Sequence, residues 1–150
     1  GAMGYGVPAA IAAKIVAPDR SVVCFAGDGD FLMTGQELAT AVAQRAGVLF
    51  LIFNNGLYGT IRMHQEREFP GRPVATTLTN PDFAALARAY GAFGTRVAST
   101  DEFRHALGAA LSHLRSERTP ALIELACDPE VITPNATLSS LRNTALLRGD

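Results

Sequence analysis

Apolar and polar positions fall in blocks along this chain. Two short, continuously apolar runs, Val22–Ala26 and Val48–Phe53, each stop abruptly at polar residues, Gly27-Asp28-Gly29 after the first and Asn54-Asn55-Gly56 after the second. Runs of this length predict strands, and the residues from Asp30 onward leave room for one crossover helix between them. The result is a βαβ unit with two parallel strands roughly 4.8 Å apart, whose carboxyl ends lie side by side where open α/β sheets place ligands. Thr34-Gly35-Gln36-Glu37 has the form of a capping box opening the crossover helix. That helix is expected to bury Leu38, Ala41 and Val42 and to stop at Gly47 as a C-cap glycine.

The same pattern extends on both sides. A first helix running through Pro8 spaces Val7, Ala10, Ile11 and Ile15 for one buried face. Phe31, Leu32 and Met33 are expected to pack under the loop that follows the first strand. Arg62–Glu68 is charged and reads as a helix, and a polar loop runs from Pro70 to Thr79. Asn80-Pro81 supplies an N-cap and a first-turn proline for a helix striped by Phe83, Leu86, Ala87 and Tyr90 and closed by Gly91. A strand near Thr95–Ala98 leads to a second capping box, Ser99-Thr100-Asp101-Glu102. Its helix aligns Phe103, Ala106, Leu107, Ala110, Leu111 and Leu114 on one side and leaves His105 and His113 facing solvent. Ala121–Ala126 reads as a strand buried on both faces, and Thr137–Leu147 as a thinly striped final helix. The fold class is therefore α/β, a three-layer αβα arrangement around a mainly parallel sheet, with residues 1–150 as one domain.

Composition narrows the classes. An apolar content of 48% supports a real core, and a net charge of −1 gives no electrostatic case for nucleic acid or an anionic membrane. No apolar run approaches the ~20 residues of a membrane helix. Cys24 and Cys127 are read as lying inside apolar strand-like runs, as small core hydrophobes. They make neither a disulfide framework nor a metal site, so an intracellular, cytoplasmic chain is expected.

The candidate chemistry lies at the two strand tips. Asp28 offers a carboxylate, Asn55 a neutral amide oxygen, and the turn after Asn55 a backbone carbonyl. Mg²⁺ takes about six oxygens at roughly 2.1 Å, commonly from one or two carboxylates together with substrate phosphates. Gly27 and Gly29 let the backbone turn sharply beside Asp28. A doubly wound domain for another nucleotide would carry G-x-G-x-x-G or a lysine-bearing P-loop after a strand, and neither is present.

GDG followed at this spacing by NN resembles the diphosphate-binding signature of thiamine diphosphate (ThDP) enzymes. The likeness continues into GAMGYGVPAAIAAK before it, and NPDFAALARAYGA and PALIELACDPE after it. These segments are similar to the C-terminal, diphosphate-binding domain of acetolactate synthase-like enzymes and 2-oxo acid decarboxylases. The resemblance implies Asp28, Asn55 and the Leu57 carbonyl as Mg²⁺ ligands. It implies a cofactor-binding set of Gly1, Met3, Gly27, Asp28, Gly29, Asp30, Asn55, Leu57, Tyr58, Gly59, Thr60 and Ile61. The Gly1 carbonyl and Met3 amide would meet the aminopyrimidine, although Gly-Ala-Met is also what an expression-tag scar looks like. Asp30 stands where the family more often has a small residue such as serine. Its side chain is expected to face elsewhere and is left out of the metal shell, because a second negative charge would repel the diphosphate.

Further expectations follow from the same resemblance. Acetolactate synthases carry a tryptophan in the segment after the second strand tip. The corresponding position here is His64, and the chain has no Trp. His64 is thus a candidate general acid against the commoner outcome of a solvated histidine, and the specific acetolactate reaction is in doubt. The substrate class implied is a 2-oxo acid, decarboxylated with or without carboligation; FAD binding stays open. Family members carry a further strand and helix of this domain, and a pyrimidine-binding domain whose glutamate activates the cofactor. The expectation is a fragment or small subunit, silent alone, working in a homo- or hetero-oligomer. The rival is a non-catalytic module that retains the fold.

Overall fold

The three apolar runs and the strand expected near Thr95–Ala98, which runs instead from Phe93 to Val97, form one sheet in the computed structural model, which describes residues 1–148. The last two positions of the expected 1–150 domain lie outside the described residues. In chain order the elements are α1 (Gly6–Val16), β1 (Val22–Gly27), α2 (Asp28–Thr34), a 3-10 turn (Gly35–Glu37), α3 (Leu38–Ala43), β2 (Val48–Asn54), α4 (Gly59–Glu68), α5 (Phe83–Ala89), β3 (Phe93–Val97), α6 (Thr100–Ser116), β4 (Ala121–Ala126), β5 (Val131–Thr133), β6 (Ala136–Thr137) and α7 (Leu138–Leu146). The chain divides into two compact units, Gly1–Asn54 with Asn80–Ala126, and Asn55–Thr79 with the segment from Cys127 onward.

The first unit holds the sheet, in spatial order β1-β2-β4-β3, with every neighbouring pair parallel. Alternation along β2 explains the three layers. Val48, Phe50 and Ile52 face a cluster with Val7 and Ile11 of α1, Phe31 of α2, Leu38 and Ala41, and Phe83 and Ala87 of α5. Leu49 and Leu51 face the other way, onto Ala110 and the half-buried Phe103, Ala106, Leu107 and Leu114 of α6. The expected three-layer α/β fold is therefore observed. Helix α5 lies so close to β3 that a side chain at Gly94 would collide with the Ala84 carbonyl oxygen. On the α6 side of β1, Val23 and Phe25 stay exposed, Phe25 stacking on Phe53 with ring centroids 6.2 Å apart.

Several local expectations are corrected. Helix begins at Asp28 itself, and the crossover is built from α2, the 3-10 turn and α3. Thr34 makes no capping bond, because its hydroxyl donates to the Gly4 carbonyl at 2.9 Å. Of the segment expected to pack inward, only Phe31 is buried, while Leu32 and Met33 are exposed, as is Ile15 at the end of α1. The left-handed residue that ends α3 is Arg45 (φ 49°), not Gly47. The Ala46 N–H reaches the Ala41 carbonyl and the Arg45 N–H the Val42 carbonyl, the paired bonds of a Schellman motif. Helix α5 ends the same way, there with Gly91 (φ 86°) in the left-handed position. Its N-cap is Asp82, which accepts from the Ala85 N–H; Asn80 is used elsewhere.

Ser99 caps α6 as expected, but Glu102 accepts from the Ala98 N–H rather than closing the box on Ser99. Leu111 is exposed, and His113 is half-buried against Phe93 with its Nε2 2.8 Å from the Thr119 hydroxyl. Cys127 is half-buried just beyond β4.

The second unit contains α4, α7 and the β5-β6 ribbon. Residues 70–76 and 78–79 form no helix or strand, and Leu57 and Thr77 make an isolated antiparallel bridge. A capping box of Thr137 and Ser140 opens α7. Between α4 and α7 the Glu66 carboxylate is fully buried. It accepts from Arg142 Nε and Nη2 at 2.8 and 2.7 Å, from Arg62 Nε at 3.1 Å and from the Gly71 N–H at 3.0 Å. The Arg142 hydrogen bond, followed by those from Gly71 and Arg62, outweighs the opposing effect of burial and holds the Glu66 carboxyl down at about 2.

Candidate functional site

A chain of polar side chains crosses the first unit's sheet near the carboxyl ends of its strands. Gly27 ends β1 in an extended conformation (φ −71°, ψ 161°) and Asp28 turns at once into α2, so its carboxylate sits just past the strand tip, almost fully buried. Asp28 Oδ1 accepts from the Gly29 N–H at 2.9 Å. Oδ2 accepts from the Asn80 amide at 2.7 Å, and the same amide nitrogen donates to Asn54 Oδ1 at 2.8 Å. Asn54, the last residue of β2, passes the connection on by donating to Glu124 Oε1 in β4 at 2.8 Å. Arg96 of β3 stands beside Glu124 in register and places Nε 3.3 Å from Oε1. Asp28, Asn80, Asn54, Glu124 and Arg96 thus follow the spatial order of the strands.

Two buried acceptors on this path, Asn80 Oδ1 and Glu124 Oε2, have no hydrogen-bond partner among the described residues. Both residues line a cavity of about 290 Å³ together with Asn54, Pro81, Asp82 and Arg96. Unpaired acceptors of this kind are costly when dry, so the path suits a site that takes a cation, water or other donor.

The start of the chain is fastened to the same edge. Asp30 Oδ1 accepts from the Gly4 N–H, and Thr34, one turn further along α2, donates to the Gly4 carbonyl. The Asp30 side chain is thereby engaged with backbone, and Gly1 and Met3 precede this anchor. Burial, with a smaller contribution from Asp30, pushes the Cys24 thiol up to about 11, which removes it as a nucleophile near neutral pH.

Asn55 and Leu57 belong to the second unit. Asn55 Oδ1 accepts from the Leu57 N–H at 3.0 Å, with Gly56 left-handed between them (φ 69°), which fixes a tight turn. The Leu78 N–H donates to the Gly56 carbonyl and the Tyr58 N–H to the Thr76 carbonyl, so the turn rests on residues 76–78. Gly59 starts α4 with the Asn55 amide 3.0 Å from where its Cβ would stand. Tyr58 is half-buried, Thr60 and Ile61 are exposed, and the exposed His64 ring has no hydrogen-bond or ion-pair partner among the described residues.

The profile of the family described as "Thiamine pyrophosphate enzyme, C-terminal TPP binding domain" matches residues 1–125. The chain belongs to that family. It is 40% identical over 127 residues to the acetolactate synthase large subunit of Parasynechococcus marenigrum (strain WH8102), covering 83% of this chain and 20% of that protein. Acetolactate synthase isozyme 2 large subunit of Escherichia coli (strain K12) is 36% identical over 129 residues, covering 85% and 23%. Among solved structures, the thiamine diphosphate-dependent 4-hydroxybenzoylformate decarboxylase of Rhodococcus jostii RHA1 superposes with a TM-score of 0.76 at 33% identity, covering 84% of this chain and 23% of that one. The chain therefore spans about a fifth to a quarter of the length of these relatives.

In this ThDP-binding domain the Asp28 carboxylate is the kind of hard oxygen a divalent cation takes, and a side chain built on Gly27 would meet nothing within 4 Å, which leaves the tip of β1 open; within the second unit the same holds at Gly56. Asn80 is the residue that sequence reasoning missed, because Asn before Pro has the form of an N-cap. Glu124, the single charge within β4, was a readable signal of a buried polar path.

Proposed function

We propose that this domain grips the diphosphate of ThDP and its Mg²⁺ within an enzyme acting on 2-oxo acids, by decarboxylation with or without carboligation. The observation that carries the reading is Asn80 holding Asp28 and Asn54 together through one amide nitrogen. Asp28, the Asn55 side chain and the Leu57 carbonyl are the metal ligands. The backbone at Gly27, Gly29 and Tyr58–Ile61 lines the diphosphate and thiazolium, with Asp30 acting through its clamp on Gly4. Gly1 and Met3 offer backbone groups to the aminopyrimidine. ThDP, when bound, supplies the electron sink that lets a 2-oxo acid lose carbon dioxide. The chain's own residues bind and orient.

A pyrimidine-binding domain or subunit supplies the activating glutamate, so the chain alone is silent and the working enzyme is an oligomer. His64, in place of the tryptophan of acetolactate synthases, makes a smaller and more polar substrate wall. Both the acetolactate synthases and the 4-hydroxybenzoylformate decarboxylase support the 2-oxo acid class. Titration calorimetry of the chain with ThDP in the presence of Mg²⁺ should show weak, metal-dependent binding and no turnover of pyruvate or benzoylformate. Absence of binding at millimolar cofactor favours a non-catalytic module, and appreciable turnover contradicts the need for a partner.

A further inference from the structure

The entry turns of the two central strands share an unusual choice. Arg45 precedes β2 with φ 49° and Arg118 precedes β4 with φ 59°, each in the left-handed conformation that favours glycine. The turns adjoin, since a Cβ on Gly47 would stand 3.4 Å from the Arg118 carbonyl oxygen. Both open on a cavity of about 480 Å³ at the amino-terminal edge of β2 and β4, the opposite end of the strands from Asp28. Arg115 of α6 also lines it, as do the apolar Ile15 and Leu114; the one acidic lining residue is Asp19.

Helices α1, α3 and α6 all end near this cavity, and cations at helix C-termini are commonly explained by exposed carbonyls. Lys14 is already engaged, donating to the carbonyls of Pro18 and Arg20 in the loop after α1 at 2.8 and 2.7 Å. The guanidinium groups of Arg45, Arg115 and Arg118 reach no such carbonyl, having no hydrogen-bond or ion-pair partner among the described residues, although Arg115 lies in the last turn of α6. Three uncommitted guanidiniums around a cavity of ligand size, two of them on backbone that another residue would adopt more easily, indicate a binding role.

We propose that this cavity is a second ligand site, taking a phosphate-bearing small molecule of nucleotide size. Arg45, Arg115 and Arg118 meet its phosphates, and Ile15 and Leu114 carry its apolar part. Adenosine 5′-diphosphate is a suitable probe, added with EDTA so that any metal-dependent diphosphate site stays silent. Amide resonances of residues 45–48 and 114–119 should shift, unlabelled adenosine should shift them little, and raising the salt should weaken the effect. The double variant Arg45→Gly, Arg118→Gly relieves both left-handed turns, so a melting temperature at or above wild type shows that it folds. Its affinity for the diphosphate should fall about tenfold or more. No shift at millimolar probe, equal response to adenosine, or unchanged affinity in the double variant overturns the proposal.

Discussion

The two compact units keep their shape by different means. In the first, apolar side chains on both faces of β2 and β4, Phe50 among them, are sealed under helices that add Phe31 of α2 and Phe83 of α5 to the same core. In the second, the buried positions among the described residues are Glu66, Thr76 and Leu138, and the centre is a carboxylate gripped by two arginines. The first is thus held by area removed from water, the second by geometry and charge. The difference teaches where each unit is vulnerable. A cavity should harm the first whatever the pH, and protonation should harm the second.

The largest effect should come from Phe50→Ala, at about 4 kcal/mol in chemical denaturation, because Phe50 is fully buried between helices and sheet. A loss under 1 kcal/mol would show that this layer is not close-packed. Next comes Glu66→Gln at about 3 kcal/mol, since it leaves two arginines facing a neutral group. The folded pKa of Glu66 lies below the usual glutamate value, so its contribution is fully present above about 4.5 and is lost as the pH falls toward about 2. Hydrogen-exchange protection in α4 and α7 should fall across that window in wild type and should not do so in Glu66→Gln. Equal acid sensitivity of the two proteins would erase the contrast between the units.

Asn80→Ala should cost least, about 2 kcal/mol for two lost hydrogen bonds. It should also weaken Mg²⁺-dependent ThDP binding about tenfold, as loss of a partner that orients a metal ligand does. Intact metal dependence with lowered stability would reduce Asn80 to a structural role.

The strands, the α6 stripe and the Ser99 cap were legible because each rests on periodicity or on a local signature within a few residues. What was not legible depended on partners far along the chain. Thr34 looked like a cap but is drawn to Gly4, and Asn80 looked like a cap but is drawn to Asp28, 52 positions away. Glu66 and Arg142 are 76 positions apart, so no window on the sequence pairs them. Gly47 seemed the natural stop for α3, yet the bond pattern puts Arg45 there, a choice that propensity alone argues against. At the site, Asp28 stood out by its flanking glycines, whereas the relay that fixes it became visible only with the strand order.

The most direct measurement is calorimetric titration of ThDP into the chain with and without Mg²⁺, repeated for Asp28→Asn, which keeps the side chain's shape and removes its charge. Wild type should bind only with the metal present, and the variant should lose that metal requirement together with most of its affinity. Its amide sets a donor against either the Gly29 N–H or the Asn80 amide, so it should also melt below wild type and is compared at a temperature where both proteins are folded. Equal binding by the two proteins, or wild-type binding indifferent to Mg²⁺, would show that the carboxylate at the tip of β1 does not hold the cofactor's metal.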